Sequence, residues 1–379
     1  MAGFVIVRLF SMRLHSLDAA RGSLMILGVL FHALVFVYLF QEPASLSEFL
    51  AVVFTHQFLH SFRMPAFFMI AGFFALLLID KRGRNGFLRN RLLRIGLPFV
   101  IFWQPMVILN AYSSKMGWYG KVGYPPPADL VPSDDTQHLW FLYFLLIFAV
   151  VLWVSGPILK KAIARQFTFP LTPTLLLLAI ATPLIPGVIE RELTTSTRLA
   201  VDPGVLVFYF LTFLIGAVVY IGRERLLPLL ARRSIAYVSI GLGFFVLFFV
   251  SQDWGVPQNP WLYSFAVWLL SAGVIGLFLR FASGENRFVR FLSDGSYWLY
   301  LIHLPLVFFF LVIGSEAKLS AIANVTMTTL ATLVIAYASY KLFVRSTFIG
   351  ALLNGRRFPF TAKGGPSAPQ KAVAPPAKS

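Results

Sequence analysis

His32 follows Arg21 by eleven residues, and Asp18 precedes that arginine by three, in a stretch that is otherwise apolar from Gly22 to Phe40. An imidazole with an ordinary pKa near 6.5 exchanges protons at physiological pH, which makes His32 a candidate general base or nucleophile. On a helix rising 1.5 Å per residue it lies about 16 Å beyond Arg21. An ionisable group at such depth in an apolar segment costs roughly 2.5–3.5 kcal/mol and is a functional-site hypothesis by default. The structural alternative is a core histidine bonded to a neighbouring helix. A second segment carries His56, His60, Arg63 and Pro65. The histidines share a face at i, i+4, a spacing able to grip a metal. No carboxylate stands at the position usual for a metalloprotease, so no metal is assigned. Arg63 keeps its charge wherever it sits, and must pair, snorkel or line a wet cavity.

Three further groups complete the inventory. Arg91 and Arg94, one turn apart, are anchors for a basic membrane face or a clamp for phosphates, since each guanidinium is a planar fork of donors. His138-Leu139-Trp140-Phe141-Leu142 opens another apolar run, where an interfacial aromatic belt is the plain alternative. Tyr300 and His303 share a face in Tyr300-Leu301-Ile302-His303-Leu304-Pro305. Ordered by depth, these residues trace a path from Arg21, Arg91 and Arg94, through His303 and His32, to Arg63 and His60, with His138 at the far rim.

The elements that must position them are membrane helices. Of 379 residues, 58% are hydrophobic and 12% charged, with 40 Phe and no Cys, whereas soluble proteins carry roughly a quarter charged. Disulfides, thiolate metal sites and cysteine nucleophiles are thereby excluded. Ten spans of about 20 residues can be drawn, at 22–40, 58–79, 95–112, 139–157, 170–189, 204–222, 234–251, 261–280, 296–313 and 322–344, the fifth weakened by Pro183 and Pro186. Residues 1–22 lack the long apolar core of a cleaved leader, so the first span is expected to remain. With the N-terminus inside, inner segments hold 26 of the 32 Lys and Arg, which orients both termini to the cytoplasm. The net charge of +17 is therefore topology and not a nucleic-acid footprint. The expectation is an all-α membrane protein, with residues 1–348 as one bundle of about ten helices in the lipid bilayer. Ser113–Gln137 reads as an irregular outer cap, and 349–379 as a disordered cytoplasmic tail.

The motifs, taken in order, resemble the integral-membrane acyltransferase-3 family, whose members O-acylate extracytoplasmic glycans from cytoplasmic acyl-CoA. The resemblance runs from Leu17-Asp18, Arg21 and His32 through Arg91-x-x-Arg94 and His138–Leu142 to Tyr300–Pro305. Leu24–Gly28 with Phe31-His32, and His60–Met64 leading into Phe67-Phe68, are similar to the branch that succinylates osmoregulated periplasmic glucans. The resemblance implies a bacterial inner membrane, a periplasmic acceptor side, and acyl-CoA, here succinyl-CoA, as co-substrate with no permanently bound cofactor. It implies that His32 is catalytic, that Arg21 supports it or the CoA, and that Arg91 and Arg94 engage the acyl-CoA. Chemistry and depth add Asp18 as the group that orients Arg21, and His60, Arg63, His138, Trp140, Tyr300 and His303 as substrate or acyl-carboxylate contacts. Two rivals remain: O-acetyl transfer to another envelope glycan, and a transporter or flippase of an anionic substrate. Against the latter stands the lack of a paired inverted repeat.

Overall fold

The computed structural model describes residues 2–118, 134–156, 158, 161, 170–189, 192–252, 259–284 and 286–354, with side chains from residue 15 onward except 114–118 and 354. Most of the outer cap, Ser113–Gln137, lies outside the described residues, as does the tail beyond Asn354.

Among the described residues the chain is helical, with two isolated bridges, Asp135 to Arg198 and Ile189 to Leu193, and no strand. Apolar length makes the helices, and side-chain caps start several of them. α1 spans Ala2–Phe36. α2, Leu46–Arg91, begins where Ser45 Oγ accepts from the Glu48 N–H. Glu48 in turn accepts from the Ala44 N–H, closing a cap at both ends of the first turn. A π turn over Leu92–Gly96 leads into α3, Leu97–Trp118. α4 is Trp140–Val154 and α5 is Leu171–Ala181, the latter running into a 3₁₀ turn, Thr182–Leu184, that carries Pro183. α6, Pro203–Ile221, has Asp202 accepting from the Gly204 and Val205 N–H groups, with Pro203 at the first helical position, where its missing N–H costs nothing. α7, Arg223–Ser251, and α8, Pro260–Phe281, form a closely packed hairpin. α9 is Arg287–Glu316, α10 Ala321–Ser339 and α11 Phe348–Asn354.

Among the described residues eight helical stretches are long and apolar enough to cross a membrane. One of them, Leu46–Ser113, is 68 residues long and holds both the second and third spans expected from sequence. Its break is Gly83, at φ 69° and ψ 169°, a conformation open essentially to glycine alone. The basic stretch 81–94, between the second and third drawn spans, is therefore helix with one glycine corner. The fifth span is realised as the shorter apolar segment Leu171–Leu184. α11 continues past the boundary drawn at residue 348 and buries Leu353.

Helices in lipid gain little from hydrophobic sorting and associate by close packing. α2 and α6 meet backbone to backbone: a Cβ placed on Gly72 would stand 1.9 Å from the Phe213 carbonyl oxygen, and one on Gly216 would stand 1.7 Å from that of Met69. Beside this contact Phe68, fully buried, meets Phe141 at 4.8 Å, Tyr209 at 4.9 Å, Phe148 at 5.6 Å and Trp140 at 5.9 Å between ring centroids. α1 packs against α2, α8, α9 and α10, which turns His32 toward the interior of the bundle. The outer surfaces of α7 and α10 present Leu247, Val250, Leu330 and Val334 to the lipid. Gly216→Leu must force α2 and α6 apart, an overpacking cost of about 3 kcal/mol or more. Loss of monodisperse protein in detergent, or a sharply lowered thermal midpoint, is the expected result; an unchanged midpoint would show that the helices do not touch there.

Candidate functional site

Two cavities hold the residues singled out in the sequence. The larger, about 640 Å³, receives Gly28, Phe31 and His32 from α1, His56, His60 and Arg63 from α2, and Tyr300 and His303 from α9. His138 joins them from a 3₁₀ turn, Gln137–Leu139, just ahead of α4. That turn is fixed locally: Asp135 Oδ1 accepts from the Gln137 N–H at 2.7 Å, and the Leu139 N–H donates to the Thr136 carbonyl at 2.9 Å.

His32, His303 and His138 form a row of imidazoles. Ring centroids are 5.1 Å apart both from His32 to His303 and from His303 to His138. The row has assignable tautomers, because a carbonyl can only accept. His303 Nδ1–H donates to the Tyr300 carbonyl at 2.8 Å, and His138 Nε2–H donates to the Leu301 carbonyl at 3.2 Å. In the neutral rings this leaves His303 Nε2 and His138 Nδ1 as acceptors. His32 Nδ1 is buried without a hydrogen-bond partner, so its proton traffic is not committed to the scaffold. The Tyr300 hydroxyl donates to the His138 carbonyl at 2.6 Å and ties α9 to the turn that carries His138. The path drawn from sequence put His138 at the outer rim; it lies deeper, buried against His303.

Arg63 is buried, and no carboxylate pairs with it among the described residues. Its guanidinium carbon sits 4.3 Å from the centroid of the Phe31 ring, whose negative face partly compensates the charge. Gly28 leaves it space, since a Cβ there would stand 2.7 Å from Arg63 Nη1. Trp140 borders the cavity while packing against Phe144 and Tyr209 at 5.1 Å each, so most of its surface serves the core.

Sequence reasoning missed Glu192. It comes from a loop between α5 and α6, is half-buried, and places Oε2 3.2 Å from His60 Nδ1. Burial pushes its carboxyl up, but the neighbouring His60 and His56 more than offset this and hold it below its ordinary value. The loop is pinned on both sides: Thr194 N–H donates to the Val188 carbonyl at 2.9 Å, and Thr136 N–H to that of Thr197 at 2.6 Å. Thr195, Thr197, Asp135 and Gln137 make this rim of the cavity polar. Nothing in the spacing of His56, His60 and Glu192 could have announced the cluster, since the carboxylate arrives by loop closure.

The smaller cavity, about 370 Å³, is bordered by Asp18, Arg21, Asn90, Arg91, Arg94 and Tyr297 among others. Asp18 and Arg21 form an ion pair at 3.2 Å across one helical turn. Arg94 lies within the π turn, whose widened spacing frees backbone carbonyls; the Tyr297 hydroxyl donates to that of Arg94 at 2.7 Å. Met25, Phe141 and Tyr300 line both cavities and separate them. The residues singled out in the sequence thus fall into two groups, three arginines with Asp18 on one side of this partition and His32, His60, Arg63, His138, Trp140 and His303 on the other.

The pattern of the acyltransferase domain family matches residues 14–341. The chain is similar to glucans biosynthesis protein C of Escherichia coli strain K12, with 24% identity over 327 residues, 79% of this chain and 83% of the relative. The same protein from Escherichia coli O1:K1 / APEC is similar to the same extent. No solved structure matches the chain.

Proposed function

The chain belongs to the acyltransferase family whose pattern it matches, and from that premise we propose that it moves a succinyl group from cytoplasmic succinyl-CoA to hydroxyls of a periplasmic glucan. The observation that carries the reading is the division of the polar interior into an arginine-lined cavity and a histidine-lined cavity that share only a thin wall of side chains. Three guanidiniums suit the phosphates of a CoA donor. A buried row of imidazoles beside a polar outer rim suits a hydroxyl acceptor.

In this mechanism an acceptor hydroxyl gives its proton to His32 as its oxygen attacks the thioester carbonyl. The carbon–sulfur bond breaks, the acyl group stays on the acceptor oxygen, and the departing thiolate takes up the proton. A positioned base contributes typically 10²–10⁴-fold to such a step. An alternative order, in which His32 first carries the acyl group, uses the same atoms. Asp18 acts on Arg21 as a positioning residue, holding it toward the donor.

Arg63 supplies selectivity. A succinyl group ends in a carboxylate, which enters a poorly hydrated cavity only against a cation, and Arg63 is a buried cation there without a carboxylate of its own. The lead relative is named only for glucan biosynthesis; the choice of succinyl rests on this guanidinium and on the motif resemblance.

His32→Ala is expected to abolish label transfer from succinyl-CoA to glucan, by 10²-fold or more, with the protein still present in the membrane at its usual level. Near-normal transfer would remove His32 from the mechanism. Transfer in detergent, with no gradient, separates an enzyme from a carrier. Arg63→Gln should slow succinyl transfer about 10- to 100-fold relative to acetyl transfer by the same variant, the worth of one charge-assisted hydrogen bond. Equal losses with the two donors would leave Arg63 a structural or glucan-binding role.

A further inference from the structure

His56, His60 and Glu192 bring three potential ligand atoms to within 4.8 Å of one another, at the end of the larger cavity that meets the outer loops. We propose that this cluster binds a divalent transition-metal ion, with Zn²⁺ the best match, and that the ion presents an open coordination position to the cavity.

The donor set is two imidazole nitrogens and one carboxylate oxygen, a combination that suits zinc and leaves a fourth tetrahedral position for water or substrate. Metal–ligand bonds of about 2.0–2.1 Å place neighbouring ligand atoms about 3.3 Å apart in a tetrahedron. The His60 Nδ1 to Glu192 Oε2 separation of 3.2 Å already meets this. His56 is one helical turn from His60, their ring centroids 5.8 Å apart. Its ligand nitrogen lies within 4.8 Å of the other two ligand atoms, so reaching tetrahedral spacing asks only for a small side-chain adjustment.

An independent observation points to a ligand here. His60 is only 6% exposed; its Nε2 has no hydrogen-bond partner, and its Nδ1 faces Glu192 Oε2 at 3.2 Å without hydrogen-bond alignment. Polar atoms buried in this way cost free energy until something coordinates them. A cation held by all three removes that cost at His60 Nδ1 and Glu192 Oε2 together. The carboxylate is delivered by a loop pinned through Val188 and Thr197, so the site is built by the fold and not by chance approach of mobile side chains.

The position gives the ion a use. Phe31 touches His32, His56 and His60, at centroid distances of 5.1, 5.0 and 5.2 Å. The cluster and the candidate base are therefore separated by about one aromatic ring, on one cavity wall. A hydroxyl taking the open position would be polarised and would lose its proton more readily. This role rests on the acyl-transfer reading, whereas the binding of the ion does not.

The test uses the full-length protein in detergent, stripped with a chelator, given Zn²⁺ alone and desalted, with metal content measured by mass spectrometry. One equivalent is expected to remain. Glu192→Gln and His56→Ala should each weaken zinc binding 10²-fold or more while their thermal midpoints in chelator match that of the parent. Co²⁺ in place of Zn²⁺ should give the visible d–d bands of a tetrahedral site, lost in the same variants. Less than a tenth of an equivalent retained by the parent, or zinc retained unchanged by both variants, overturns the proposal. Should a variant fail to fold, the parent decides alone: its midpoint must rise with Zn²⁺ and not with Mg²⁺. Because no acyl donor or acceptor enters these measurements, their outcome is separate from that of the His32 and Arg63 experiments.

Discussion

A guanidinium inside an apolar bundle is the constraint around which this protein is arranged. Arg63 cannot shed its charge by deprotonation, and among the described residues no carboxylate answers it. Its surroundings are what make it tolerable. Phe31 offers a π face at 4.3 Å, the missing side chain of Gly28 leaves room for Nη1, and a cavity of about 640 Å³ provides space for water or an anion. The same cavity is what lets His32, His303 and His138 sit close together without carboxylates. Neutral imidazoles are cheap to bury, and two of the three satisfy one nitrogen on backbone carbonyls of α9. The acyl-transfer chemistry inferred here uses the groups left over once that accounting is complete.

The scaffold that holds these groups is stiff where it must be. α2 carries three of the cavity's ionisable residues and is locked to α6 by glycine-mediated backbone contact, which fixes its height and rotation. At one end of the bundle Glu48 accepts from the Ile322 N–H at 3.2 Å, and Asn324 donates to Gln41 at 2.7 Å and to the Leu311 carbonyl at 3.0 Å. These bonds tie the connection after α1 and the start of α2 to α9 and α10. Since α1 bears His32 and α9 bears His303, their 5.1 Å contact depends on that tie.

Sequence was informative wherever a local rule applied. Nine of the ten drawn spans coincide with long apolar helix, two of them in one stretch and several with bounds ten or so residues off, and the exception, the fifth, is short and proline-terminated for the reason its Pro183 and Pro186 give. The motif residues were legible too, because an ionisable group in an apolar segment is conspicuous by itself. Depth was less reliable: His138 begins an apolar run, which reads as an interface, yet the 3₁₀ turn before α4 dips into the bundle and buries it. The charged stretch 81–94 interrupts the apolar pattern between the second and third drawn spans, yet these are helical residues around one glycine corner at Gly83. Glu192 was invisible for a deeper reason. Its partners are on α2, and what brings it to them is a loop closed on itself from Thr194 to Val188 and tied to Asp134 and Thr136 by tertiary hydrogen bonds, with no sequence period to betray it.

The partition between the cavities makes the remaining physical problem specific. Any acyl group passing from the arginine side to the histidine side meets Met25, Phe141 and Tyr300. Tyr300 is held by its hydroxyl on the His138 carbonyl, so swinging it would break the bond that positions that imidazole. Phe141 is wedged edge-on against Phe67 at 4.9 Å and Phe68 at 4.8 Å, so its displacement would disturb the aromatic core where α2, α4 and α6 meet. Met25 has neither restraint. It is an unbranched thioether with three rotatable bonds, able to refill a gap in several rotamers at little cost. It also lies on α1 between Arg21 and His32, one turn from the former and two from the latter. Were an acyl group to cross a wall made of two fixed rings and one flexible chain, the flexible chain would yield first, and it stands on the same helix as His32.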